Sequence, residues 1–130
     1  MTVITNNPHL RGAANVQFVD GSFRDVLIKV RDLVYVGHEL VSHPLFASLG
    51  MMFSPYRTVI LSERKDTPSA EHARVVEDSI ISYDHATQER QHVGRNDEDY
   101  ARMDLELYRS ACEECGTALR GREVCEGLGR

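Results

Sequence analysis

Val16-Gln17-Phe18-Val19, then Asp20-Gly21-Ser22, then Phe23-Arg24-Asp25-Val26-Leu27-Ile28-Lys29-Val30-Arg31-Asp32-Leu33-Val34, is the stretch whose reading decides the fold. Val16–Val19 is a short run of β-branched and aromatic residues, the composition of a strand. Asp20-Gly21 makes a sharp turn, and Ser22 is a good helix N-cap with Asp25 three residues on. Beyond it Phe23, Val26, Leu27, Val30, Leu33 and Val34 recur at three- and four-residue steps. That spacing predicts an amphipathic helix stopping at Gly37.

Working outward, Thr2–Thr5 reads as an earlier strand. Pro8 to Ala14 has room for one or two helical turns, with Pro8 allowed at a first helical position. After Gly37 the pattern returns to a strand (39–42), a loop (43–55) and another strand (57–62). Strand, helix, strand in this order predicts a right-handed crossover and at least partly parallel pairing. Thr67-Pro68 has the form of an N-cap followed by proline, and Ala73, Val76, Ile80 and Tyr83 supply the stripe of a second helix. Tyr100, Met103, Leu107 and Ala111 make a third, with a break expected at Gly94 and Asn96. The expected class is α/β: a small, mostly parallel sheet with flanking helices and two longer C-terminal helices. Residues 1–115 form the expected domain, and 116–130, with Gly116, Gly121, Gly127 and Gly129, a loose tail.

Composition agrees with one ordinary domain. The chain has 130 residues, 42% hydrophobic and 27% charged, so a packed core and not disorder is expected. No apolar run approaches the roughly 20 residues needed to span a bilayer. The N-terminus lacks a basic region followed by an apolar stretch, so the expected location is cytoplasmic. Net charge is −5. Residues 1–66 hold seven Lys/Arg and six Asp/Glu, net +1, whereas 67–130 hold eight and fourteen, net −6. An acidic second half excludes a nucleic-acid surface, which needs clustered positive charge.

Three polar, proline-punctuated segments lie against apolar runs: Thr5-Asn6-Asn7-Pro8, Ser42-His43-Pro44-Leu45 and Ser54-Pro55-Tyr56-Arg57. Polar side chains at strand ends gather along one edge of a sheet, and open α/β sheets bind ligands at such edges. Asn6, Asn7, Ser42, His43, Ser54, Tyr56 and Arg57 are therefore the candidate ligand-binding residues. Amides, hydroxyls and a fixed guanidinium suit a carboxylate or phosphate, so a small anionic metabolite is the expected ligand. His43 is the one member that exchanges a proton near neutral pH, and a catalytic reading rests on it alone. The alternative stays open: Asn-Asn-Pro, His-Pro and Ser-Pro-Tyr are equally good turn chemistry, with side chains bonded to local backbone.

Cys112 and Cys115 form a C-x-x-C, with Cys125 ten residues on. A zinc site wants a fourth ligand, and no second C-x-x-C or nearby histidine supplies it. A thioredoxin-type pair begins a helix after a strand, whereas this one ends a helical stripe, so core packing is the expected role of Cys115. Glu113, Glu114 and Glu123 would raise a thiol pKa and not activate it. His85 and His92 are seven apart on one helix face, too far for a metal pair, and with His72, Asp84 and Glu89 they read as a solvated face. Neither G-x-G-x-x-G, nor a Walker loop, nor a G-x-S-x-G elbow occurs, so no cofactor or metal is expected.

The linked order of Thr5-Asn6-Asn7-Pro8, Val16 to Phe23, Val26 to Val34, Gly37 to Leu45 and Ser54 to Ser62 resembles the GrdX family, over roughly the first half of the chain. That family is encoded beside the selenium-dependent glycine, sarcosine and betaine reductases of amino-acid-fermenting anaerobes. Its members are small and single-domain, without an assigned biochemical role. The family's Lys-Pro-Asn-like turn before the Pro-Tyr pair is replaced here by Leu49-Gly50-Met51-Met52-Phe53, so no anion-binding role carries over to that loop. The resemblance implies a non-catalytic accessory protein that binds a small anionic metabolite or a reductase subunit. An enzyme acting on an acyl or phosphoryl metabolite through His43 is the alternative. A homo-oligomer packed through the Tyr100–Ala111 stripe is a further expectation.

Overall fold

A computed structural model of the chain describes residues 1–47, 49–88 and 96–118. Three strands form one sheet: β1 (Thr2–Thr5), β2 (Val16–Phe18) and β3 (Thr58–Leu61), in the order β2-β1-β3. Three α-helices flank it: α1 (Phe23–Tyr35), α2 (Ala70–Thr87) and α3 (Asp97–Ala118). Single 3₁₀ turns occupy Pro8–Leu10 and Leu49–Phe53. This is the small α/β arrangement expected, with the two longer helices at the C-terminal end.

The sheet is mixed. β1 pairs with β2 in parallel, Val3 opposite Val16, and with β3 antiparallel, Val3 opposite Ile60 and Ile4 opposite Val59. Side chains alternate across a strand, so this register sends Ile4, Val59 and Leu61 to one face and Val3 and Ile60 to the other. The first set packs with Phe23, Val26, Leu27, Val30 and Val34 of α1 and Val76 and Ile80 of α2. The second packs with Leu10 and with Tyr108 and Cys112 of α3. Burial on both faces is why β1 and β3 read as continuous apolar runs and not as alternating ones.

α1 is capped at both ends as its sequence requires. Ser22 Oγ accepts from Asp25 N at 3.1 Å, and Asp25 Oδ2 accepts from Ser22 N at 2.8 Å, a complete capping box. At the other end His38 N donates to Leu33 O and Gly37 N to Val34 O, closing a Schellman motif. Gly37 sits at φ +122°, and a Cβ there would lie 2.3 Å from the Lys65 carbonyl. Only glycine fits that position.

Three expectations are corrected. Residues 39–42 do not form a strand; they run beside β3 with a single antiparallel bridge, Leu40 to Leu61. Side chains take the places of ladder partners there: Glu39 N donates to Ser62 Oγ, Leu40 N to His72 Nδ1, and Ile60 N to Ser42 Oγ. Backbone groups so satisfied have no need of a regular ladder. The N-cap of α2 is Ser69 and not Thr67, its hydroxyl accepting from His72 N at 3.2 Å. The core-facing stripe of α3 is Ala101, Asp104, Tyr108 and Cys112, whereas Met103 and Leu107 of the expected stripe are 51% and 44% exposed. A carboxylate at the centre of the true stripe hid it from a hydropathy reading. Gly94, His92, Cys125 and the tail beyond 118 lie outside the described residues, as does the side chain of Cys115.

Candidate functional site

The antiparallel entry of β3 brings the three polar segments to one edge of the sheet. β1 ends there at Asn6 and Asn7, β3 begins there after Arg57, and residues 39–43 run in the direction of β1 on the far side of β3. Arg57 N donates to Asn6 Oδ1 at 2.9 Å, and Asn6 Nδ2 donates to Pro55 O at 2.7 Å and Gly21 O at 2.9 Å. The Arg57 guanidinium donates to Pro44 O through Nε and to His43 O through Nη2, and its Cζ lies 4.2 Å from the centre of the Phe46 ring. One asparagine and one arginine thus tie the ends of all three segments together.

Beneath that edge lies a buried polar network centred on Asp104 of α3, which has no solvent exposure. Its Oδ1 accepts from Thr58 N at 3.0 Å, and its Oδ2 accepts from Thr58 Oγ1 at 2.6 Å and Asn7 Nδ2 at 2.9 Å. Thr58 Oγ1 spends its proton on the carboxylate, and Thr5 Oγ1 accepts from Asn7 N at 2.9 Å. The 2.8 Å contact between the two threonine hydroxyls is therefore donated by Thr5. Asn7 Nδ2 also reaches Ala101 O, and Asn7 Oδ1 accepts from His9 N. Arg57 Nη1 stands 3.9 Å from Asp104 Oδ1, a loose ion pair. Burial pushes the Arg57 pKa down to about 10, with Asp104 opposing, so it remains a cation at neutral pH.

The side-chain amide nitrogens and carbonyl oxygens of Asn6 and Asn7 are thus all engaged within the fold. Ser42 Oγ caps Ile60 N, and Ser54 Oγ accepts from Tyr56 N and donates to Tyr56 O, closing its own turn. His43 is exposed, its Nδ1 accepting from Leu45 N at 3.0 Å. The seven residues share an edge, and among the described residues Ser54 and Tyr56 line one cavity and Ser42 and Arg57 another.

Among the described residues, two cavities open beside that edge. The larger, about 390 Å³, is walled by the Gly21-Ser22-Phe23 turn, by Met52 to Tyr56, by Tyr83 and Thr87 at the end of α2, and by Asp97 at the start of α3. Ser54 and Tyr56 line it. Burial raises the Tyr56 pKa, helped by the nearby Asp97 and Glu98 carboxylates. The smaller, about 250 Å³, lies between the 42–47 loop and α3, with Ser42 and Arg57 on its wall beside Leu107 and Tyr108. Among the described residues, no group of three His, Cys, Asp or Glu is placed to hold a metal ion. Cys112 is buried, and burial raises its pKa, with the Tyr108 hydroxyl working against that rise.

Sequence reasoning missed Asp104, Thr5 and Thr58 in the network, His72 as the cap of Leu40 N, and Phe23, Phe53, Tyr83, Thr87 and Asp97 in the cavity wall. The one local signal was the threonine at an otherwise apolar strand end in both β1 and β3, facing each other across the pair.

No helix among the described residues is long and apolar enough to cross a membrane. No curated protein and no solved structure matches the chain. The model of the GrdX-like protein family matches residues 2–113, which takes in all three strands, the N-caps of α1 and α2, both cavities and Asp104, and reaches far beyond the first half to which the motifs pointed. The chain belongs to the GrdX-like protein family.

Proposed function

We propose that this protein is a non-catalytic accessory component of a glycine-reductase-type system, and that it binds a small metabolite of that system in the cavity beside Tyr56. The observation that carries the reading is the cavity itself. It has the volume of a small-ligand site, it is walled mainly by aromatic and apolar side chains, and all its lining residues fall within the span matched by the family. Ser54 and Tyr56 contact the ligand directly, while Asn6 and Arg57 act one step back by fixing the turn that carries them. Asn7, Ser42 and His43 belong to the frame and not to the pocket.

The make-up of the described wall favours a binding role. The hydroxyls of Ser22 and Ser54 are both engaged with backbone N–H groups, and no histidine, cysteine or lysine stands among the described lining residues. An activated nucleophile needs a base within hydrogen-bond reach. The link to glycine, sarcosine and betaine reductases comes from family membership.

A thermal-shift screen of the wild type and Tyr56→Ala tests the reading, with glycine, sarcosine, betaine, acetate, acetyl phosphate and phosphate as ligands. A compound at 100 times its Kd adds about 2.7 kcal/mol of stability, several degrees in a domain of this size. The expected result is a shift with one of the amino-acid substrates, lost in Tyr56→Ala, with no turnover of that compound. No shift with any of them, or turnover in the absence of reductase, overturns the proposal.

A further inference from the structure

The smaller cavity has one charged side chain among its described lining residues, Arg57, in a wall that is otherwise mostly apolar. Leu45, Phe46 and Met51 come from the chain before β3, Ile60 from β3 itself, and Leu107 and Ala111 from α3. The polar lining beside Arg57 is Ser42, Thr58 and Tyr108. No described lining residue is shared with the larger cavity.

Arg57 is 6% exposed, and its fork is only partly spent. Nε donates to Pro44 O and Nη2 to His43 O, and the Phe46 ring, 4.2 Å from Cζ, fixes the guanidinium plane. Nη1 stands 3.9 Å from Asp104 Oδ1, beyond hydrogen-bond reach. Asp104 is itself committed to Thr58 and Asn7 and is not among the described lining residues. Ser42 Oγ caps Ile60 N, and Thr58 Oγ1 spends its proton on Asp104, so Nη1 is the charged donor that the fold leaves over. Among the described residues no sealed side-chain nitrogen lacks a partner, so Nη1 keeps open space beside it, and the cavity is the space that Arg57 lines. Burial lowers the Arg57 pKa to about 10, and Asp104 restores only part of the fall, which leaves the cation short of counter-charge.

We propose that the smaller cavity binds a short-chain aliphatic carboxylate, its head on the open Nη1 arm of Arg57 and its alkyl chain along the apolar wall. A guanidinium N–H to a carboxylate is the stronger, charge-assisted kind of hydrogen bond. A phosphate needs more donors than this wall offers, and the ammonium of an amino acid would meet apolar side chains and a like charge. An apolar cavity of about 150 Å³ holds a benzene, so about 250 Å³ takes a chain of about four to six carbons. This is a second site, separate from the cavity beside Tyr56, and it stands whether or not that cavity takes a ligand.

Calorimetric titration of the full chain with valerate, 1-pentanol and pentylammonium tests this, because the three share an alkyl chain and differ in the head. Valerate is expected to bind with a Kd of about 1 mM or tighter, 1-pentanol at least about tenfold more weakly, and pentylammonium not at all. Arg57 ties the sheet edge together, so the charge is tested at Leu107, which is 44% exposed. Leu107→Glu is expected to weaken valerate about threefold or more relative to Leu107→Gln, with 1-pentanol equal in the two. Valerate is also expected to move the amide resonances of Phe46, Thr58 and Ala111. No binding of valerate, equal binding of either other probe, or equal valerate affinity in the two Leu107 variants overturns the inference. Amide shifts at Gly21, Tyr56 and Thr87 instead would place valerate in the larger cavity and overturn it too. None of these results bears on the amino-acid ligands of the larger cavity.

Discussion

Replacing Asp104 with alanine should cost this domain a large part of its stability, although the residue sits mid-helix and touches no ligand site. The carboxylate accepts from Thr58 N, Thr58 Oγ1 and Asn7 Nδ2 and faces the Arg57 guanidinium. Its loss leaves Thr58 N without a partner in a fully buried place, a cost of about 1–3 kcal/mol. Thr58 Oγ1 can turn elsewhere, and Asn7 Nδ2 keeps the Ala101 carbonyl, so neither adds a full penalty. Arg57 loses its counter-charge, but at 3.9 Å the pair is loose, and the guanidinium keeps two carbonyl acceptors. That places this contribution at or below the low end of the roughly 3–5 kcal/mol seen when buried pairs are broken. The total is about 3–5 kcal/mol, a fifth or more of an ordinary domain's roughly 5–15 kcal/mol.

Urea unfolding followed by circular dichroism reads this as a lower midpoint at unchanged slope, and thermal unfolding as a Tm lower by about 10–20 °C. Asp104→Asn keeps the shape but must turn its amide N–H toward one of three donors, so it falls between wild type and alanine. Asn7→Ala combined with Asp104→Ala should cost less than the sum of the two, with a coupling of about 1–2 kcal/mol, because both remove one shared contact. A loss under about 1 kcal/mol for Asp104→Ala, or strict additivity with Asn7→Ala, refutes the view that this network holds the sheet edge to α3.

Two further outcomes follow from packing and charge. Tyr108, Cys112, Tyr83 and Tyr56 all have pKa values raised by burial, so above about pH 9 the unfolded chain releases protons that the folded one keeps. Stability is therefore whole below that pH and falls as pH rises toward the folded values. The lowered Arg57 acts in the opposite sense above about pH 10 but is common to wild type and Tyr108→Phe, so the variant's shallower alkaline decline in urea titrations isolates Tyr108. Gly37→Ala should lower stability by about 2 kcal/mol or more, since it combines a positive φ with a Cβ against the Lys65 carbonyl; an unchanged midpoint would mean that the turn after α1 is free to rearrange.

What the sequence disclosed and what it concealed divide along a physical line. α1 was legible because every local signal agreed: Ser22 and Asp25 cap it, Phe23 to Val34 stripe it, and Gly37 ends it. β1 and β3 were legible as β-branched runs, but the return of Arg57 to the edge that holds Asn6 depends on β3 running antiparallel to β1, a direction the sequence leaves open. The 39–42 strand was not, because it is undone by side chains distant in sequence, Ser62 and His72, that satisfy its backbone. The face of α3 was concealed for the same reason. Asp104 reads as solvent-facing until its donors are found, and those lie 46 and 97 residues away. The polar edge was visible in composition, but its division between frame and pocket was not. An asparagine that closes a turn and one that holds a ligand look alike in sequence, and only the tally of partners separates Asn7 from a ligand-binding amide.

Amide chemical-shift mapping of the isotope-labelled full chain, titrated with glycine, sarcosine and betaine, tests the central claim most directly. The account predicts saturable shifts at Gly21, Ser22, Phe53, Tyr56, Tyr83 and Thr87, with Asn7, Thr58 and His43 left in place. Shifts centred on Asn6, Asn7 and His43 would return the site to the polar edge itself. A spectrum unmoved by all three would contradict the claim that this cavity is where the protein acts.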